Sequence, residues 1–145
     1  MFSKQLWAVL VSTIAIASAG AADVNSEREA GFKDSKRAIS AIKDDLAVGN
    51  LAAVAKSASS MAEFAEKIPA LFPPGSKGGF FSAAKAEIWE NFPDFVAKSK
   101  SFQLNAQALS TLAASSSPDK AVLNAAFIKV TDDCKVCHQS YKRGR

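Results

Sequence analysis

The chain has 145 residues, 48% of them hydrophobic and 22% charged, with seven Gly and five Pro, a composition that suits one compact domain and excludes disordered and fibrous classes. Eighteen basic residues against fourteen acidic ones leave a formal charge of +4, and the basic residues are spread out rather than clustered with aromatics, so nucleic acid is not an expected partner. Two Cys allow one disulfide at most, which excludes a disulfide-built scaffold.

At the N-terminus Lys4 precedes an apolar run from Leu6 to Ala17 and then small residues, the pattern of a secretory signal. Ala17-Ser18-Ala19 and Ala19-Gly20-Ala21 both satisfy the small-x-small rule. Cleavage is therefore expected after Ala19 or Ala21, with residues 1–21 as the signal and 22–145 as the mature domain. The apolar run is shorter than the roughly 20 residues a membrane span takes, and no later stretch replaces it. The mature protein is expected to be exported, soluble and not membrane-bound. Loss of Lys4 leaves 17 basic against 14 acidic residues, so electrostatic steering of a partner is weak unless the charges segregate in space.

From Glu27, Phe32, Ile39, Ile42 and Leu46 recur at helical spacing among Lys33, Lys36, Lys43 and Asp44, which predicts an amphipathic helix to about Val48. Gly49 suits its C-terminus, and Asn50 suits the cap of a second helix. That helix has the stripe Leu51, Val54, Ala58, Met61, Ala65 and Ile68 and stops at Pro69. Pro73, Pro74, Gly75, Gly78 and Gly79 make residues 69–79 a long loop without a regular element. A short helix over Phe80–Glu90, a break near Asn91 and a longer helix opened by Pro93 follow, the last carrying Phe95, Phe102, Leu109 and Leu112. Ser115 to Ser117 supply a cap, Pro118 a first helical residue and Asp119 an acid for the final helix. That helix carries Leu123, Phe127, Val130 and Cys134 and ends in Lys142 and Arg143. With no strand-period alternation and no repeat, the chain reads as one all-α domain, an antiparallel four-helix bundle. Its Ala-rich inner faces leave room for a large apolar cofactor.

Cys134-Lys135-Val136-Cys137-His138 is a C-x-x-C-H sequence in a chain with no other Cys and no other His, the attachment signature of a c-type haem. On a helix, positions 134, 137 and 138 share one face, so two thiols can bond the haem vinyl groups while the imidazole reaches the iron from the same side. His138 is the expected proximal ligand. A thioredoxin-like redox pair belongs at a strand-to-helix junction, a structural zinc site needs a fourth ligand, and a plain core pair leaves the adjacency of the three residues unexplained.

The motif, the loop phrase Leu71-Phe72-Pro73-Pro74-Gly75 with Glu87-Ile88-Trp89, and Arg28-Glu29-Ala30-Gly31-Phe32-Lys33 together make residues 27–143 similar to cytochrome c′, the four-helix-bundle branch of the class II c-type cytochromes. The resemblance implies a periplasmic protein, commonly a homodimer, with one haem c linked through Cys134 and Cys137 and His138 on the iron. It also implies Arg28 near a haem propionate, unless Arg28 is only a surface charge, and Phe32 over the distal face. Lys142 stands where the family often has Arg, which leaves a basic group near the proximal side with different donor geometry. Ala38, Ala41, Ala52 and Ala55 are small residues able to support a dimer contact.

Phe32 falls where low-spin relatives place a ligating Met, and a phenyl ring has no lone pair for iron. The resemblance thus implies a five-coordinate haem, roofed by an apolar ring, that admits small neutral gases such as nitric oxide and carbon monoxide and disfavours polar ligands. Trp89 and Met61 are read mainly as core residues. The leading expectation is a gas-binding haem protein with a redox or nitric oxide-buffering role. The rival is an electron carrier serving an unidentified redox partner, which would favour a six-coordinate iron. An enzyme is not expected, because the single His is committed to the iron and no distal acid-base group remains.

Overall fold

The computed structural model describes residues 17–77 and 82–144. Four long helices, α1 (Ala17–Val48), α2 (Leu51–Lys67), α4 (Phe92–Ala113) and α5 (Lys120–Tyr141), form the bundle, with a single turn α3 (Glu87–Glu90) before α4. No strand occurs among the described residues, only an isolated antiparallel bridge between Ala84 and Lys142.

The junction of α1 and α2 follows from Gly49. At φ +75° it takes the left-handed conformation that a side chain disfavours. The amide of Asn50 then donates to Asp45 O (2.9 Å) and that of Gly49 to Leu46 O (3.4 Å), the Schellman pattern that satisfies the last carbonyls of α1. Asn50 is the residue before α2, but its side chain does not cap: Nδ2 donates to Asp45 Oδ1 at 2.9 Å.

Several expected boundaries are corrected. Helix α1 begins at Ala17, inside the segment expected to be a signal; residues 1–16 of that segment lie outside the described residues. Pro69 does not open a structureless loop, because the chain tightens into a 3₁₀ turn at Ile68–Leu71, where the missing N–H of proline at the turn's start costs nothing. The expected Phe80–Glu90 helix is reduced to α3. Phe80 and Phe81 lie outside the described residues, and residues 82–86 instead lie against the end of α5, with Lys85 N donating to Tyr141 O (3.0 Å) and Arg143 N to Ala83 O (2.8 Å). The cap of α5 is Asp119 itself, whose Oδ1 accepts from the amides of Ala121 (2.7 Å) and Val122 (3.0 Å). Helix α5 stops at Tyr141, and Lys142 is already extended. The break at Asn91 (φ −126°, ψ 51°) and the proline in the first turn of α4 are as expected.

Helix α1 packs on α2, α2 on α4, and α4 on α5; α1 and α5 do not pack closely on one another. Val54, Ala58, Met61 and Ala65 of α2 share the core with Phe95, Phe102, Ala106 and Leu109 of α4. Ser99 Oγ donates to Ala65 O (2.7 Å) and Ser110 Oγ to Ala55 O (2.9 Å) across the same seam.

Candidate functional site

The last two turns of α5 carry Cys134, Cys137 and His138, and side-chain contacts to α4 hold those turns in place. Asp133 accepts from Ser101 Oγ and Asn105 Nδ2, both at 2.7 Å. One turn after His138, Tyr141 is buried. Its Oη donates to Asp94 Oδ2 (2.5 Å), and its ring meets Phe95 edge-on at 5.3 Å. Asp94 also pairs with Lys98, and with two donors on it the carboxyl is held below its ordinary pKa, the Tyr141 bond contributing most.

Both thiols are free, half-buried and packed against the core. Burial first, then Asp133, raises the pKa of Cys134; burial, then Cys134, raises that of Cys137 to about 11. A redox pair needs a lowered thiol pKa, so these two sulfurs are poor candidates for that chemistry. His138 is exposed, and partial desolvation followed by the charge of Lys142 lowers its pKa, favouring the neutral imidazole that binds metals. Lys142 is exposed, and its amide donates to His138 O at 3.0 Å. Among the described residues no three His, Cys, Asp or Glu side chains converge to hold a metal ion by themselves.

Arg28 is 6% exposed, which overturns the alternative of a surface charge. Its Nε and Nη2 donate to Leu71 O (3.1 and 2.5 Å), Nη1 and Nη2 to Ser76 O (3.2 and 3.1 Å), and Nη2 also to Ser76 Oγ (3.0 Å). The guanidinium lies 3.8 Å from the centroid of Phe72. Burial lowers its pKa despite the opposing pull of Glu29. Arg28 thus ties α1 to the loop after the 3₁₀ turn. Trp89 fastens the same loop, with Nε1 donating to Phe72 O (3.1 Å) and Pro73 O (3.0 Å).

One turn beyond Arg28, Phe32 is half-buried and meets Phe64 of α2 edge-on, with centroids 5.1 Å apart. Met61 is 2% exposed within the core, as expected of a packing residue. Of the small residues proposed for a dimer contact, Ala38 and Ala55 pack against the core, while Ala41 and Ala52 are exposed. Two outer clefts, one by Phe72, Pro73 and Trp89 and one by Asp94, Lys98 and Asp133, include none of Arg28, Phe32, Cys134, Cys137 or His138. The two helices that carry these residues, α1 and α5, do not pack closely on one another. The donor set fits a c-type haem: two half-buried thiols one turn apart and, next to the second, an imidazole whose pKa is lowered toward the neutral form. Sequence reasoning missed Ser76, Tyr141, Asp94 and Phe64. Tyr141 alone had a signal, as the single Tyr of the chain, one turn after His138.

The family model for cytochrome c′ matches residues 23–142. Cytochrome c′ of Rhodospirillum rubrum is 38% identical over 101 residues, 70% of this chain and 66% of that protein. Cytochrome c-556 of Agrobacterium tumefaciens is 43% identical over 90 residues, 62% of this chain and 70% of that protein. The crystal structure of cytochrome c′ from Thermochromatium tepidum superposes with a TM-score of 0.76 at 27% identity, covering 86% of this chain and 97% of that one. A nitric oxide complex of a leucine-to-alanine mutant of cytochrome c′ from Alcaligenes xylosoxidans superposes with a TM-score of 0.68 at 26% identity, covering 86% and 97%.

Proposed function

The chain belongs to the cytochrome c′ family, and from that premise we propose that it is an exported, non-enzymatic haem protein whose five-coordinate iron takes up nitric oxide and carbon monoxide. The observation that carries the reading is the end of α5, where two half-buried free thiols are followed at once by His138. On α1, Phe32 stands where the family resemblance puts a sixth ligand, and its ring has no lone pair to give.

In this reading Cys134 and Cys137 hold one haem c through thioether bonds, and His138 binds the iron from the same helix face. When bound, the haem would supply an iron able to take up a diatomic ligand. Phe32 roofs the ligand side, excludes water and offers no hydrogen bond, so a charged or polar ligand loses its hydration there without compensation. Arg28 acts first as the anchor of the loop around Ser76, and a propionate contact falls to the Nη1 edge, which makes only one of the five bonds. Lys142 keeps a positive charge near the proximal imidazole. The nitric oxide complex of a family member supports the choice of gas. Residues 1–21 serve as an export signal, residues 22–145 as the mature periplasmic domain, and nitric oxide buffering is the physiological role. Among the described residues no helix is long and apolar enough to cross a membrane. A homodimer, formed through the exposed Ala41 and Ala52 face, completes the reading.

A second reading, an electron carrier between periplasmic partners, is favoured by the similarity to cytochrome c-556. It lacks a ligand, because Phe32 has no lone pair and Met61 is buried in the core around α2 and α4. Acid-acetone extraction followed by gas titration tests the first reading. The haem should stay with the protein, carbon monoxide should change the reduced spectrum, and azide should leave the oxidised spectrum nearly unchanged. Haem released into the solvent, or indifference to carbon monoxide, would refute it.

A further inference from the structure

Resting on the reading of Phe32 as the distal roof, we infer that Phe64 of α2 is a positioning residue that sets how readily Phe32 swings aside, and that Gly31 is the notch that seats it. Gly31 lies inside α1 with no positive φ. Backbone freedom does not explain it, and a helical Gly is less stable than Ala. Space does explain it. A Cβ at Gly31 would lie 1.9 Å from Phe64 Cε2 and 2.5 Å from Cδ2 and Cζ, so the ring edge of Phe64 already occupies the place of a side chain.

The neighbouring residue on α1 is Phe32, whose ring stands at 88° to that of Phe64 with centroids 5.1 Å apart. An edge-to-face pair sets the positive edge of one ring against the negative face of the other. Phe32 therefore gives up this contact whenever its ring moves away from Phe64. Both rings are only half-buried, so each retains room to move, and the contact between them becomes the restraint. Access to the roofed face is thereby controlled from α2, by a residue that need not touch a ligand.

The test uses the reduced holoprotein and two readouts: carbon monoxide association by stopped flow, and the flip rate of the Phe32 ring by NMR in the carbon monoxide-bound form. Phe64→Leu keeps an apolar side chain but loses the ring. It should speed both rates about 2- to 10-fold, the range such an aromatic pair supports, while the absorption spectra stay as in the wild type. Phe64→Tyr keeps the ring and should restore slow rates. In a Phe32→Ala background, Phe64→Leu should add nothing to gas association. If Phe32→Ala speeds association and Phe64→Leu changes neither rate, the inference falls and the roof stands. If Phe32→Ala itself leaves association unchanged, the roof reading falls. A gain from Phe64→Leu that persists without Phe32 means that Phe64 blocks the path directly, which also overturns the inference. Should Phe64→Leu fail to fold, Phe64→Met fills the same space flexibly and carries the same expectations.

Discussion

Between α2 and α4 the interior is closed by side chains alone: Val54, Ala58, Ala65, Ala106 and Leu109 are fully buried, and Ser99 and Ser110 bond carbonyls across the seam. Between α1 and α5 the chain leaves Phe32, Ile39, Phe127, Cys134 and Cys137 half-buried, and the two helices do not pack closely. The first flank spends small residues on close helix approach. The second holds the polarizable sulfurs and aromatic rings that a large flat cofactor would cover. In the proposed reading, one flank is stable as protein and the other would be completed by the haem.

The largest expected effect comes from the open flank. Replacing both thiols, Cys134→Ser with Cys137→Ser, should abolish covalent haem retention in acid-acetone extraction and broaden the thermal transition, because the half-buried rings lose their cover. Next comes the sealed seam, where Leu109→Ala should cost ~2–5 kcal/mol in denaturant titration. Ile39→Ala on the open flank should cost less than Leu109→Ala, since that side chain is buried only in part; equal costs would erase the contrast between the flanks. Arg28→Ala strands the carbonyls of Leu71 and Ser76, and a loss of about 1–3 kcal/mol is expected, with faster hydrogen exchange at the Ser76 amide.

The smallest effect concerns the clasp between α4 and α5. The folded pKa of Asp94 is lowered, so its contribution is present above the ordinary carboxylate value, roughly 4, and is lost as the pH falls through the folded value. Thermal melts should show Asp94→Asn less stable than wild type at neutral pH, with the gap closing in acid. Tyr141 is raised, by burial and then by its bond to Asp94, so its share is complete below about pH 10 and is lost above. Tyr141→Phe should therefore flatten the alkaline limb.

Helical periodicity made the bundle legible, because each long helix repeats apolar residues over several turns: Val54, Ala58, Met61 and Ala65 in α2 were readable directly, and so were Phe95, Phe102 and Leu109 in α4. The C-x-x-C-H spacing put Cys134, Cys137 and His138 together on the last helix for the same reason, since local spacing on a helix is geometry. Boundaries set by single hydrogen bonds were not legible. Asp119 rather than Ser117 caps α5, and Asn50 turns to Asp45, choices separated by small energies that depend on the exact backbone. Nor could one chain order reveal that Arg28 reaches Ser76 or that Gly31 faces Phe64, because those pairs form only after α1 and α2 pack.

In the proposed reading the flank of α1 and α5 holds a haem with no protein ligand on the Phe32 side. Absorption spectroscopy of the oxidised and reduced holoprotein into the near infrared tests it most directly. The spectra should be high-spin or spin-mixed and five-coordinate, and that of the reduced form should shift when carbon monoxide is added. A low-spin spectrum with a methionine-to-iron charge-transfer band would contradict it. It would mean that Met61, the one Met after the expected signal, leaves the core around α2 and α4 to bind the iron.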